Sequence, residues 1–182
     1  MSSPVSACGC ATIVCSAAIV ASVASGSDLD PGPAGPEATA ATTEAAPRRP
    51  VLDPRLPERV AARINEGIPV AQERLRDYAS CRALFTRLGS DGAAKLDGAS
   101  YYPASAERER RDCRPGVFAL TTVGGSAVVL CRSFVRLSGE QAAIILIHEA
   151  LHLAGQAEYP AASGAPDSLA ITRMVMAGCR LF

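Results

Sequence analysis

The sequence has no tryptophan, only one lysine and only two histidines among its 182 residues. Its aromatic side chains are four Phe and four Tyr, so a core must be built mainly from Ala, Leu, Val and Ile. The formal net charge is zero, which argues against a nucleic-acid partner held by a broad basic field. Apolar residues nevertheless make up 48% of the chain, which is enough to bury one compact core.

The first 56 residues have the composition of processing and linker segments. Residues 11–24 form an uncharged apolar run that is short for a membrane span and typical of a signal-peptide core. Residues 1–26 are therefore expected to be a signal peptide or, because VSAC at 5–8 resembles a lipoprotein cleavage box, a lipoprotein-type leader. Residues 27–56, rich in Pro and Ala, are predicted to be a disordered linker. Membrane contact is expected only if the leader is retained or lipidated.

Residues 57–182 are predicted to form the folded domain. Apolar residues at helical spacing predict helices over 57–66 and 70–88, and Gly89 is a natural stop signal. Residues 89–116 are rich in Gly, Asp and Pro and carry a charge run, which predicts a loop with at most one short helix.

The amino-acid composition changes after residue 116. Residues 117–123 and 126–131 are rich in β-branched and apolar side chains, and they flank Gly124-Gly125, a two-residue turn signal. This pattern predicts a β-hairpin over 117–132. A last helix is predicted over 168–178. The expected fold is therefore α+β, mostly helical, with a short hairpin or small sheet.

Cysteine usage points to an oxidising compartment. If the leader is removed, the remaining cysteines form an even set, which fits two disulfides in a secreted or cell-envelope protein, whether periplasmic or extracellular. These cysteines are Cys81, Cys113, Cys131 and Cys179. Three pairings are open, and Cys179 is expected to anchor the last helix to a partner that the sequence does not identify.

The candidate chemistry lies in a helix that begins near Ser138. Ser138 and Gln141 match a capping box, and residues 142–147 are apolar on all sides, which predicts a buried helix. His148 and His152, the two histidines of the chain, follow at i and i+4. Side chains at this spacing lie about 5–6 Å apart on one helix face. Both imidazoles can therefore bind one zinc ion.

Glu149 completes the HExxH pattern as the expected general base. It is rotated by about 100° from His148 on the helix, so its carboxylate can reach a zinc-bound water without binding the metal. Zinc lowers the pKa of that water toward 7, the carboxylate accepts its proton, and the hydroxide attacks a polarised carbonyl. The alternative is a buried helix whose polar side chains only make hydrogen bonds in the core, an arrangement that is costly without partners.

A catalytic zinc needs a third protein ligand, and no histidine remains to supply it. Gly155 can take the left-handed conformation that ends a helix, so that Glu158 can turn back toward the metal. Glu158 is the expected third ligand. Asp167 is the rival, although Asp167 or Ser168 also fits the N-cap of the last helix.

The string HEALHLAGQAE at residues 148–158 resembles the zincin superfamily, and specifically the metzincin pattern HExxHxxGxx followed by a ligand. Glu158 stands where that pattern usually has His or Asp. The region from about 120 to 180 resembles more closely a group of uncharacterised, exported bacterial proteins. These proteins carry HEALH, then Gly and Glu, a short Ser/Pro loop and a terminal helix ending in Cys. The resemblance implies a zincin-like fold, a zinc ion and peptidase activity.

The sequence, together with this resemblance, therefore predicts an exported zinc-dependent hydrolase, specifically a metallopeptidase acting on a peptide or protein substrate. His148, His152 and Glu158 are the expected zinc ligands, and Glu149 is the expected base. Tyr159 is a further candidate for oxyanion stabilisation, and residues 117–132 are a candidate sheet edge for binding an extended peptide. The alternative function is a non-catalytic envelope protein with a structural zinc or with no metal.

Overall fold

The computed structural model describes residues 49–158 and 165–181. The helices in these ranges are α1 (Glu58–Asp77), α2 (Ala79–Thr86), α3 (Gly92–Asp97), α4 (Ala106–Arg111), α5 (Gly139–Leu153) and α6 (Ser168–Cys179). The strands are β1 (Val51–Leu52), β2 (Ser100–Pro103), β3 (Ala119–Thr121) and β4 (Ala127–Leu130), and a 3-10 helix spans Arg132–Arg136. The predicted α+β class, mostly helical with a small sheet, is confirmed.

The central helix is α5, as its continuous apolar sequence predicts. Every residue from 142 to 153 is buried except Ile145, which is half-buried. The predicted capping box is present: the Gln141 N–H donates to Ser138 Oγ at 3.2 Å, and the Ser138 N–H donates to Gln141 Oε1 at 2.8 Å. Buried on all sides and capped at its first turn, α5 provides a rigid support for the HExxH residues.

The structure corrects the predicted break between the first two helices. Helix α1 continues through Gly67 and Pro69, and Tyr78 (φ −107°, ψ 111°) separates it from α2. Proline inside a helix costs about 3 kcal/mol because a hydrogen bond is lost. Burial of one face of α1 outweighs that cost, since each buried aliphatic side chain contributes about 1.5–3 kcal/mol. The buried face comprises Val60, Ile64, Gly67, Ile68, Ala71 and Leu75.

The sheet has the strand order β1-β2-β4-β3. Strands β1, β2 and β4 are parallel, and β3 pairs antiparallel with β4 at one edge. The predicted hairpin is therefore present, but residues 122–126 connect its strands in place of the expected two-residue turn. Gly124 takes φ +73°, and its N–H donates to the carbonyl of His152 at 2.8 Å. The hairpin connection is thereby held to the end of α5.

Two further segments differ from the sequence-based expectation. The predicted loop over 89–116 contains α3, β2 and α4, and β2 lies between β1 and β4 in the sheet. Strand β1 lies within the stretch assigned to the linker, so the first strand among the described residues begins at Val51, before the expected start of the domain near Pro57. Both strands are too short for a periodic pattern, since β1 has two residues and β2 has four.

The four cysteines after the leader form two disulfides. Cys81 pairs with Cys179, which joins α2 to α6 (the α2–α6 disulfide), and Cys113 pairs with Cys131, which joins the end of α4 to the end of β4 (the α4–β4 disulfide). Disulfides of this kind persist in non-reducing environments. No helix among the described residues is long and apolar enough to cross a membrane. The predicted leader and the linker up to residue 48 lie outside the described residues.

Candidate metal centre

Three polar side chains are buried in the last two turns of α5. His148, Glu149 and His152 are each only 5% exposed, whereas the rest of the buried core is apolar. The i, i+4 spacing places the two imidazoles on one face, with His148 Nε2 and His152 Nε2 separated by 3.1 Å. Burying such groups is costly unless each has a partner, so their surroundings indicate what the site is built to hold.

Glu158, the residue expected to be the third ligand, lies close to this pair. Gly155 takes φ +105° after α5 and redirects the chain. Glu158 Oε2 then lies 3.2 Å from His152 Nε2 and 3.8 Å from His148 Nε2. The Glu158 side chain is 41% exposed, so one side of the cluster is open to solvent.

The donor set fits a tetrahedral zinc ion. Ligand atoms at about 2.0–2.1 Å from such an ion are separated from one another by about 3.3 Å. The three observed separations, 3.1, 3.2 and 3.8 Å, bracket that value. Imidazole nitrogen and carboxylate oxygen are also ligands that zinc prefers.

The electrostatics of the cluster favour a cation as well. His152 Nδ1 lies 2.7 Å from the carbonyl oxygen of Gln156, which can only accept, so that ring nitrogen must carry a proton. In the neutral ring, Nε2 then has a lone pair and lies 3.2 Å from the carboxylate oxygen of Glu158. Two acceptors at this distance repel each other, and a cation between them removes the repulsion.

Each imidazole is also held through its other nitrogen. His148 Nδ1 lies 3.0 Å from Thr172 Oγ1 on α6, and His152 Nδ1 contacts the Gln156 carbonyl. Such partners fix the orientation and tautomer of ligating histidines. Sequence reasoning missed both contacts. One partner lies 24 residues from its histidine, and the other is a backbone carbonyl with no residue signature.

Glu149 is separated from the ligand cluster but lies beside it. Its Oε2 atom is buried and has no hydrogen-bond partner among the described residues. Burial raises the pKa of Glu149 to about 7, while His152 and the nearby Thr121 hydroxyl partly oppose that rise. Burial also lowers the pKa of His148 to about 4, with a further contribution from His152. Burial thus favours a neutral imidazole at His148 beside a carboxyl group whose pKa lies near neutral pH.

The remaining sequence candidates have separate positions. Asp167 caps α6, where its Oδ1 accepts the Ala170 N–H at 2.7 Å, and it does not belong to the ligand cluster. Met174 and Met176 lie in α6 and pack against the core. Tyr159 lies outside the described residues. The described position of Asp167 thus leaves Glu158 as the carboxylate that faces the histidines.

A second metal-like cluster does not have free ligands. Glu109, Cys113 and Cys131 lie close together, but both sulfur atoms belong to the α4–β4 disulfide. The Glu109 carboxylate accepts the backbone N–H of Arg132 at 3.2 Å. We therefore assign this cluster a structural role.

The histidine cluster opens into a cavity of about 200 Å³ beside the sheet. Residues 116–121, which include the edge strand β3, form one wall together with Ile145 of α5. The cavity is also lined by His148, Glu149, His152 and Glu158 and by Ser168 and Thr172 of α6. No Lys or Arg lines the cavity in the part of the chain that the structure describes, and residues 159–164 contain none.

Comparisons with known proteins give no relative from which a function could be transferred. A scan against protein-family models, a search of curated proteins and a search of solved structures each found no match. Functional assignment therefore depends on the chemistry of the cavity and its ligand cluster.

Proposed function

We propose that the protein is a zinc-dependent hydrolase, and specifically an exported metallopeptidase. His148, His152 and Glu158 hold the ion, and Glu149 is the general base. The observation that carries the proposal is the convergence of these three ligand atoms beside a buried carboxyl oxygen that has no protein partner among the described residues. When bound, zinc acidifies water and polarises a carbonyl group by Lewis acidity. A purely structural zinc site would not require the carboxyl group of Glu149 in addition to its ligands.

Glu149 has the properties that a general base requires. A base works best when its pKa lies near the working pH, and burial places the pKa of Glu149 near 7 in the metal-free protein. In the part of the chain that the structure describes, Oε2 accepts no hydrogen bond, which leaves one acceptor for a proton from water. Since Glu149 follows His148 directly on a buried helix, its position relative to the ligands is fixed by α5.

The cavity favours an extended peptide as the substrate. Among the described residues, β3 is paired on one side only, by β4, so its other side can pair with an added strand. The wall next to β3 is apolar, with Val117, Phe118 and Leu120 available to contact a substrate side chain. A peptide paired with β3 would extend along the wall of the cavity, and we therefore expect cleavage of internal peptide bonds.

Export agrees with the covalent structure. The α2–α6 and α4–β4 disulfides require an environment in which they persist, and the apolar run at residues 11–24 supplies a candidate export signal. We place the proposed activity in the cell envelope or outside the cell.

The decisive experiment measures zinc content and peptide hydrolysis on the same samples. The full chain is produced under oxidising conditions and assayed with a library of peptides blocked at both ends. The test variant is Glu149→Gln, and the matched control is Glu140→Gln, the same exchange at an exposed position of α5. We expect one zinc per chain in all three proteins, with hydrolysis lost by about 100-fold or more only in Glu149→Gln.

Two other outcomes would redirect the assignment. Bound zinc without hydrolysis of any peptide, combined with a large loss of thermal stability on chelation, would support the structural zinc alternative. No zinc after refolding in its presence would overturn the hydrolase proposal. The histidines would then be part of an interaction domain without metal.

A further inference from the structure

The sheet has an outer face, opposite to the side that is buried in the core. Tyr101 of β2 and Val128 of β4 point into the core and are each 1% exposed. Successive side chains of a strand point to opposite faces, so the neighbours of these residues face outward. The register pairs Tyr102 with Val129, and Val129 with Leu120 of β3. These three side chains form a row across the outer face.

A second cavity, of about 540 Å³, lies on this outer face (the outer cavity). All three side chains of the row line it, and Arg55 and Arg108 line it as well. Leu120 and Thr121 line both the outer cavity and the cavity at the histidine cluster. The edge strand β3 therefore lies between the two cavities.

One positive charge of the outer cavity has no ion-pair partner among the described residues. Asp53 binds the guanidinium of Arg55 through contacts of 3.0 and 2.8 Å. Asp112, which also lines the cavity, is bound in the same way by Arg111 at 2.8 and 3.0 Å. Arg108 is exposed and forms no ion pair within the described ranges. Its guanidinium is therefore available to an anionic group.

Arg108 lies on α4, and two contacts hold this helix at the end of the sheet where β3 begins. The α4–β4 disulfide joins α4 to Cys131, whose N–H donates to the carbonyl of Phe118 at 3.0 Å, one residue before β3. The carboxylate of Glu109 accepts the N–H of Arg132 at 3.2 Å. The cation of α4 is thus positioned by the fold rather than by a mobile loop.

A peptide that pairs with the free side of β3 would meet both cavities. Successive side chains of an added strand point to opposite faces of the sheet. One set lies on the side of the ligand cluster, and the alternate set lies on the outer face beside Leu120. Directly opposite side chains on one face of paired strands lie about 4.5–5.5 Å apart. A side chain placed opposite Leu120 therefore borders the outer cavity.

We propose that the outer cavity is a specificity site that binds an acidic side chain of the peptide, and that Arg108 contacts its carboxylate. This inference rests on the proposed function, because it requires a peptide paired with β3. Glutamate suits the site, since its aliphatic stem can lie on Leu120 and Val129 while its carboxylate accepts hydrogen bonds from the guanidinium. The preference belongs to alternate positions of the peptide, because only every second side chain faces outward.

The first test compares blocked peptides that differ by Glu or Gln at single positions around the cleaved bond. With the native full chain and zinc, we expect kcat/KM to be about two- to fivefold higher for Glu at one set of alternate positions. No such preference is expected at the positions between them. Added salt should reduce the preference, because the ion pair is exposed. Equal preference for Glu at adjacent positions would contradict the alternation.

The second test reverses the charge of the site. Arg108→Glu should exchange the selectivity, so that a peptide with Lys at the outward position is cleaved faster than the same peptide with Glu. The matched control is Arg110→Glu, the same exchange at an exposed position of α4 that does not line the outer cavity. The control should keep the native selectivity. An unchanged preference for Glu in Arg108→Glu would refute the role of Arg108.

Binding measurements separate failure of this inference from failure of the proposed function. Fluorescence anisotropy on Glu149→Gln uses labelled peptides with Glu or Gln at alternate positions and measures binding without turnover. Tighter binding of the Glu peptide, lost when Arg108→Glu is added, would support the specificity site even if the native protein cleaved no peptide, and that lack of cleavage would count against the hydrolase alone. Hydrolysis without any preference for Glu would refute the specificity site and leave the hydrolase proposal intact. Failure of Glu149→Gln to bind either peptide would refute the specificity site.

Discussion

Replacing Glu149 by glutamine should stabilise the metal-free protein at neutral pH. Burial raises the pKa of this carboxyl from its ordinary value of 4.5 to about 7. Between these two values the folded protein holds the proton while the unfolded chain has released it. The free energy of unfolding therefore falls as the pH rises through this window, and the loss is complete above about pH 7. Glutamine has no proton to lose, so Glu149→Gln does not show this fall.

The size of the effect follows from the same two pKa values. Each pKa unit corresponds to about 1.4 kcal/mol, so the difference between 4.5 and about 7 amounts to about 3 kcal/mol. His148 acts in the opposite direction: its pKa is lowered to about 4, so stability is lost as the pH falls from 6.5 toward 4. Since His148 is present in both proteins, its contribution cancels when Glu149→Gln is compared with the native chain at each pH.

Urea unfolding at a series of pH values from 4 to 8 measures this difference. The protein is treated with a chelator that is then removed, since a bound cation would lower the pKa of Glu149. The stability advantage of Glu149→Gln should grow by about 3 kcal/mol from pH 4 to pH 8. Glu140→Gln, at an exposed position of the same helix, should show no such growth. An advantage that stays constant within about 0.5 kcal/mol over this range would refute the burial of Glu149 in a charged form.

Three further predictions concern the fold. Gly67→Ala should cost about 1–3 kcal/mol in urea unfolding, because a Cβ there would lie 2.9 Å from Ala142 Cβ between α1 and α5; Gly139→Ala, whose Cβ would have room, should be neutral or stabilising. Ser138→Ala should cost about 1 kcal/mol by removing the cap of α5, and an unchanged unfolding midpoint would contradict the capping box. Replacing the cysteines of the α2–α6 disulfide by serine should lower stability by about 1–2 kcal/mol more than the same change in the α4–β4 disulfide, since the closed loops span 98 and 18 residues. A larger loss for the shorter loop would count against the loop-entropy argument.

The elements that were predicted correctly are those whose local pattern and packing agree. Helix α5 is apolar on every side and begins with a capping box, so both its existence and its start follow from sequence. The break predicted before Pro69 was wrong because packing of the buried face of α1 outweighs the local cost of proline. Strand β2 was missed because its four residues gain their stability from β1 and β4, which are distant in sequence.

In the candidate metal centre, too, the features encoded by a local pattern were predicted, and those that depend on contacts distant in sequence were not. The placement of His148, His152 and Glu158 together follows from helix periodicity and from one glycine, all within eleven consecutive residues. Sequence could also nominate Glu149, since HExxH fixes its position relative to the histidines. The contact of Thr172 with His148 depends on how α6 docks, and its disulfide to α2 joins cysteines 98 residues apart. No local pattern encodes that docking.

His148, Glu149 and His152 differ in their polar partners, and this difference favours a catalytic over a purely structural interpretation of the site. Each ring nitrogen of His148 and His152 has a polar neighbour. The neighbours are Thr172, Gln156, Glu158 and the other imidazole ring. Glu149 differs, because Oε2 has no protein partner among the described residues, and burial of this carboxyl group is costly enough to raise its pKa to about 7. A zinc site that serves stability alone would gain from an apolar residue at this position. The retained cost is explained if that oxygen accepts a proton from water during hydrolysis, which is why Glu149→Gln should gain stability and lose activity in the same protein.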